Sequence, residues 1–87
     1  MAATDLKTAI AAARASDWDA AHSYTQANQG ETLADWLHAI LHKIEPDEAN
    51  ARYWYGRCGR AYEDFDDTGA ELDALEKAAD RIAIDGP

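Results

Sequence analysis

Apolar side chains recur along this chain at three- and four-residue steps, and short polar runs separate the stretches. The clearest stretch holds Leu33, Leu37, Ile40, Leu41 and Ile44, the i, i+4, i+7, i+8, i+11 stripe of a helix with one face in a core. Thr32 followed by Asp35 reads as a partial capping box, and Glu45-Pro46 as a stop, so a helix is predicted over 32–45. Before it, Leu6, Ile10 and Ala13 share a face of a helix over 4–15, with Thr4 as its N-cap. Asp17 caps a second helix over 17–27, which Asn28, Gln29 and Gly30 end. Its sides carry Trp18, Ala21, His22 and Thr25 on one hand and Ala20, Tyr24 and Ala27 on the other, as suits a helix between two neighbours. Asp47 caps a fourth helix over 47–62 that gathers Ala51, Trp54, Tyr55, Cys58, Ala61 and Tyr62, although Gly56 and Gly59 weaken it. After an acidic loop from Glu63 to Asp67, Thr68 and Glu71 form a capping-box pattern for a helix over 68–84, with Leu72, Leu75, Ala79 and Ile82 inward. Gly86 and Pro87 finish the chain.

Composition agrees with this reading. Of 87 residues 20 are Ala and none is Val, so helix formers abound and strand material is scarce. The expected object is all-α: one domain over 1–87, a compact bundle of about five helices around a small, aromatic-anchored core. The formal net charge of −9 makes phosphate backbones and anionic lipid heads unfavourable partners, so neither nucleic acid nor a membrane surface is expected. Residues 63–87 hold nine acids and two bases, which makes the last quarter a solvated acidic element. The single cysteine, Cys58, has no internal disulfide partner, Lys7 and Arg14 interrupt any leader-like run, and a cytoplasmic location is expected.

DAAHSYTQA from Asp19 aligns with NARYWYGRC from Asn50 at an offset of 31, pairing Ala20 with Ala51 and Tyr24 with Tyr55, a hint of stacked helical hairpins. The stretches WDAAH, HAILHKIEPD and NARYWYGRCGR are similar to a family of small uncharacterised bacterial helical proteins. That family carries WD-x-AH, HA-x-LH-x-x-E, NA-x-YWY and GR. The last stretch also resembles the first helix of SEL-type repeats, relatives of the tetratricopeptide repeat, with Gly56 where a long side chain is usual. The first resemblance implies a compact helical fold without a known activity; the second implies tetratricopeptide-like hairpins and protein binding.

Three clusters carry candidate chemistry. His38 and His42 stand at i and i+4, the spacing that brings two imidazoles to one metal. His22 is a possible third arm and Glu45 a further ligand. Two ligands do not make a site, so the histidines are expected to hydrogen-bond between helices, with no cofactor. The alternative is a small ligand- or metal-binding domain on His22, His38, His42 and Glu45. Asn50, Tyr53, Arg57 and Arg60 share one side of the fourth helix and form the basic, aromatic patch of an acidic chain, suited to a protein partner or a second copy. Internal pairing of these arginines with Glu45, Asp47 and the acidic tail is the simpler expectation. Asp64, Asp66, Thr68 and Gly69 imitate the opening of a calcium loop, but Leu75 stands where the bidentate glutamate belongs. No nucleophile sits in a recognisable triad: Cys58 falls on an apolar stripe and Ser16 and Ser23 stand alone, so no enzymatic activity is expected. The function this points to is a non-enzymatic interaction or accessory module.

Overall fold

The computed structural model describes residues 2–85, and the side chains of residues 6–81. Five α-helices follow in order: α1 (Ala2–Arg14), α2 (Trp18–Ala27), α3 (Thr32–Ile44), α4 (Glu48–Cys58) and α5 (Thr68–Asp85). One 3-10 turn, Tyr62–Asp64, precedes α5, and there is no strand among the described residues. The all-α bundle of five helices is therefore observed. The side chains of Thr4 and Ile82, and the Gly86-Pro87 end, lie outside the described part.

α3 is the central rod. Every residue from Ala34 to His42 is buried, because α2, α4 and α5 each pack on a different side of it. Trp36, Leu37, Ile40 and Leu41 meet Ile10 of α1, Ala21 of α2, Ala51 and Tyr55 of α4, and Leu72, Leu75 and Ala79 of α5 in one core. Burial of this kind is worth about 25 cal/mol for each Å² of apolar surface removed from water, and it holds helices too short to persist alone. α5 also lies along α1, where Lys7 pairs with Asp80 at 2.6 Å and Arg14 with Asp73 and Glu76 at 2.8 and 2.9 Å. Three acids of the last quarter are thus paired by two cations of α1.

The two helical hairpins, α1–α2 and α3–α4, are built alike. In each, the aspartate N–H of the turn bonds back five residues, Asp17 to the Ala12 carbonyl and Asp47 to the His42 carbonyl, both at 2.8 Å. Each aspartate carboxylate then accepts from the N–H three residues on, Ala20 or Asn50, as an N-cap does. Leu6, Ala9, Ile10, Ala21 and Thr25 are buried, and so are Trp36, Ala39, Ile40, Ala51 and Tyr55. The correspondence runs from Asp17 to Asp47, a shift of 30. This corrects the offset of 31: Ala21, not Ala20, is the counterpart of Ala51.

Several boundaries differ from expectation, each for a local reason. α1 already runs through Thr4, so Thr4 is not its N-cap. The N-cap of α3 is Glu31, without a side-chain bond. Asp35, expected in a capping box, is buried and accepts from the Gly30 N–H at 3.2 Å instead. α4 stops at Cys58 rather than 62, because Gly59 at φ +77° takes the left-handed conformation that closes a helix. α5 is capped by Asp67, whose carboxylate accepts from the Ala70 N–H at 2.9 Å. Glu71 does not cap but turns into the core. Ile44, placed on the apolar stripe, is 40% exposed as the last residue of α3.

Candidate functional site

Thr25 and Asp35 are buried with local backbone bonds, and the other buried polar side chains gather in two places. The first lies between α3, α4 and α5. Glu71 is fully buried and accepts from Trp36 Nε1–H at 2.8 Å and Tyr55 Oη–H at 2.7 Å, while Lys43 Nζ donates to its other oxygen at 3.0 Å. Lys43 also donates to the Phe65 carbonyl, and lies over the rings of Tyr55 and Tyr62. Burial and the neighbouring carboxylate push the Tyr55 hydroxyl far above the usual tyrosine range, so it stays a donor. The sequence reading missed this network. Its signal was a glutamate standing at i−4 to Leu75 and adjacent to Leu72, on the inward side of α5.

The second place lies between α2, α3 and α4 and collects all three histidines. His22 Nε2 and His38 Nε2 face each other at 3.2 Å. His42 Nδ1–H donates to Glu45 Oε1 at 2.8 Å. One ligand atom of each of the three rings lies within 4.8 Å of the others. Aromatic walls hold them: Trp18 stacks on His22 with centroids 4.4 Å apart, and Trp54 stacks on His38 at 3.9 Å. Trp18 is itself fixed by its Nε1–H, which donates to the Leu41 carbonyl at 2.8 Å. His38 is 3% exposed and its Nδ1 has no hydrogen-bond partner. The expected interhelical bonding by histidine is present between His22 and His38, whereas Glu45 reaches the outer nitrogen of His42.

Burial, reinforced by the charges His42 and His22 take up, pushes the His38 imidazole down to about 4, and burial lowers His22 as well. In the unfolded chain a histidine titrates near 6.5. Between these values the unfolded state binds the extra proton. Stability is therefore full above pH ~6.5 and falls as the pH drops toward 4, by up to about 3 kcal/mol from His38. Denaturant midpoints from pH 7 to pH 4, read with a chelator present, check this. His38→Phe, which fills the same stacked place without titrating, should flatten the decline.

The basic patch of the fourth helix does not hold together as predicted. Asn50 Nδ2–H donates to the Asp47 cap at 2.7 Å. Arg60, beyond the helix end, lies 3.5 Å from the centroid of the buried Trp36 ring. Tyr53 and Arg57 remain together: Arg57 Nη1–H donates to Tyr53 Oη at 2.9 Å, and the guanidinium lies over the rings of Tyr53 and Trp54. Among the described residues neither Arg57 nor Arg60 makes an ion pair, so internal pairing with Glu45, Asp47 or the tail is not what occupies them. Trp54 links the two features, with His38 on one face and Arg57 near its ring.

Other candidates are spoken for. A cleft of about 410 Å³ beside the 3-10 turn is lined by Lys43 and Arg52 with Glu48, Glu63 and Asp66, but Arg52 is paired with Glu48 and Glu63 and Lys43 with Glu71. The calcium-loop imitation dissolves, since Asp64 accepts from the Ala61 N–H and Asp67 caps α5. Cys58 is half-buried, burial raises its thiol, and its Sγ–H points at the Tyr55 carbonyl of its own helix. No described helix is long and apolar enough to cross a membrane. Comparison of the chain with protein-family models, with curated proteins and with solved structures finds no match.

Proposed function

We propose that this chain is a non-enzymatic accessory module of tetratricopeptide-like hairpins, and that it takes an acidic stretch of a partner protein on the outer face of α4. The observation that carries this reading is Tyr53 with Arg57. Tyr53 is 55% exposed, and among the described residues only Ile44 is another exposed large apolar group. Arg57 has no carboxylate of its own among the described residues of a chain with 17 acids. Its position over Tyr53 and Trp54 holds the guanidinium fork in place, so little conformational freedom is left to lose when a carboxylate binds. Tyrosine and arginine are also the residue types that dominate binding energy at protein interfaces. The net charge of −9 disfavours acidic partners over the surface at large, so an acidic segment needs a local basic site such as this one.

A labelled hexaglutamate peptide serves as the probe. It should bind at low salt, weaken as salt screens the contact, and quench or shift Trp54 fluorescence. Tyr53→Ala combined with Arg57→Ala should weaken it at least about tenfold while helicity and melting hold, because exposed substitutions of this kind move stability by only about 0.5 kcal/mol. Absence of binding to the unaltered protein, or equal binding to the folded double variant, overturns the reading.

A further inference from the structure

We propose that His22, His38 and His42 form a binding site for a transition-metal dication of the zinc class, built across α2 and α3. The spacing of His38 and His42 supplies two arms, and the structure adds the third. α2 packs on α3 with its Trp18–His22 side inward, so His22 meets His38 rather than solvent. A tetrahedral ion with metal–nitrogen bonds of about 2.0–2.1 Å holds its nitrogen ligands roughly 3.3 Å apart. The 3.2 Å between His22 Nε2 and His38 Nε2 already matches that edge. The ligand nitrogens of the three rings lie within 4.8 Å of one another, at most about 1.5 Å wider than that edge, so the third arm has to move inward by that much or less to close the site.

Two further observations point the same way. Glu45 accepts from His42 Nδ1–H, which places the lone pair of that ring on Nε2; a carboxylate behind a histidine is the usual outer support of a metal ligand. The walls are preset: Trp18, pinned through its Nε1–H to Leu41, and Trp54 hold His22 and His38 from outside. Three imidazoles without an inner carboxylate favour zinc, nickel or copper over magnesium and calcium. Three protein ligands also leave a fourth position for water or an outside donor. This proposal does not rest on the α4 reading above, although Trp54 borders both sites.

The test uses metal-stripped full-length protein titrated with zinc. After dialysis it should retain about one zinc per chain, and melting should rise with zinc and return on addition of chelator. At zinc one hundred times its Kd the folded-to-unfolded ratio should rise about a hundredfold. Magnesium and calcium at the same concentrations should do nothing. His22→Ala removes a half-buried ligand and should abolish stoichiometric binding. Glu45→Ala, at an exposed residue that leaves the fold intact, should weaken zinc about 10- to 100-fold, the usual loss for an outer support. A second group, His42, Glu45 and Asp47, also brings its ligand atoms within 4.8 Å. Zinc bound as tightly by His22→Ala but lost from Glu45→Ala would place the ion there and overturn the proposal. Zinc that leaves both elemental content and melting unchanged overturns it as well.

Discussion

Replacing Glu71 with glutamine is expected to lower stability by about 3 to 5 kcal/mol, the cost of stranding one member of a buried charge pair. Lys43, with its side chain 8% exposed, would lose its carboxylate, and its other contacts are a carbonyl and two aromatic rings. A domain of this length has roughly 4 to 13 kcal/mol in all, so much of the population should be unfolded at physiological temperature. Denaturant unfolding measures the loss. The cause is separable by a second change. Glu71→Gln with Lys43→Met keeps an acceptor for Trp36 and Tyr55, leaves no charge stranded, and frees the Phe65 carbonyl for the new amide. The pair should recover most of the lost stability, a coupling that a double-mutant cycle reads directly. Equal or additive losses would show that the loss does not come from stranding the Lys43 charge.

Trp36→Ala should cost a comparable 3 to 5 kcal/mol. Trp36 is 1% exposed at the centre of the bundle, donates to Glu71, and carries Arg60 on its outer face, so truncation opens a cavity and removes a donor and a cation–π contact together. Trp36→Phe keeps the ring under Arg60 and should lose less than half as much. Melting that barely moves for Trp36→Ala would show that the helix packing described here does not anchor the domain.

These two side chains also mark where the sequence was readable and where it was not. Trp36 fits the aromatic-anchored core expected of so small a domain, although it stands outside the stated stripe of the third helix. The same stripe holds Leu37, Ile40 and Leu41, which are buried, and Ile44, which is not, because periodicity does not say how far along a helix its neighbours reach. Asp17 and Asp47 were identifiable as caps since a carboxylate before a helix has one local use. Glu71 was not, because a glutamate three residues after a threonine has a local use that is the wrong one here. Only Lys43, Trp36 and Tyr55, brought from distant parts of the chain, make its burial tolerable. The fourth helix ends earlier than its apolar pattern predicts for a related reason: in sequence Gly59 reads as a weak helical residue, and only its positive φ makes it a stop.

The candidate site was half legible. Spacing alone puts His38 and His42 on one flank, but the rotation of α2 about its own axis, which decides whether His22 joins them, is a tertiary property. Grouping Trp18 with His22 on one side was the correct clue, and the stacking of the two rings at 4.4 Å is its outcome. The basic patch shows the opposite failure. Asn50, Tyr53, Arg57 and Arg60 share a helical face only while the helix lasts; once Gly59 ends it, Arg60 swings to Trp36 and Asn50 is taken by the cap.

The most direct measurement is a long-range proton–nitrogen spectrum of the histidine rings, taken on metal-free protein and again after one equivalent of zinc. The expected spectra show a single Nδ1–H tautomer for His42 before zinc, set by Glu45, and a coordinated nitrogen on each of His22, His38 and His42 afterwards. Three rings unaltered by zinc, or a spectrum in which His22 alone stays unchanged, would contradict the three-histidine site.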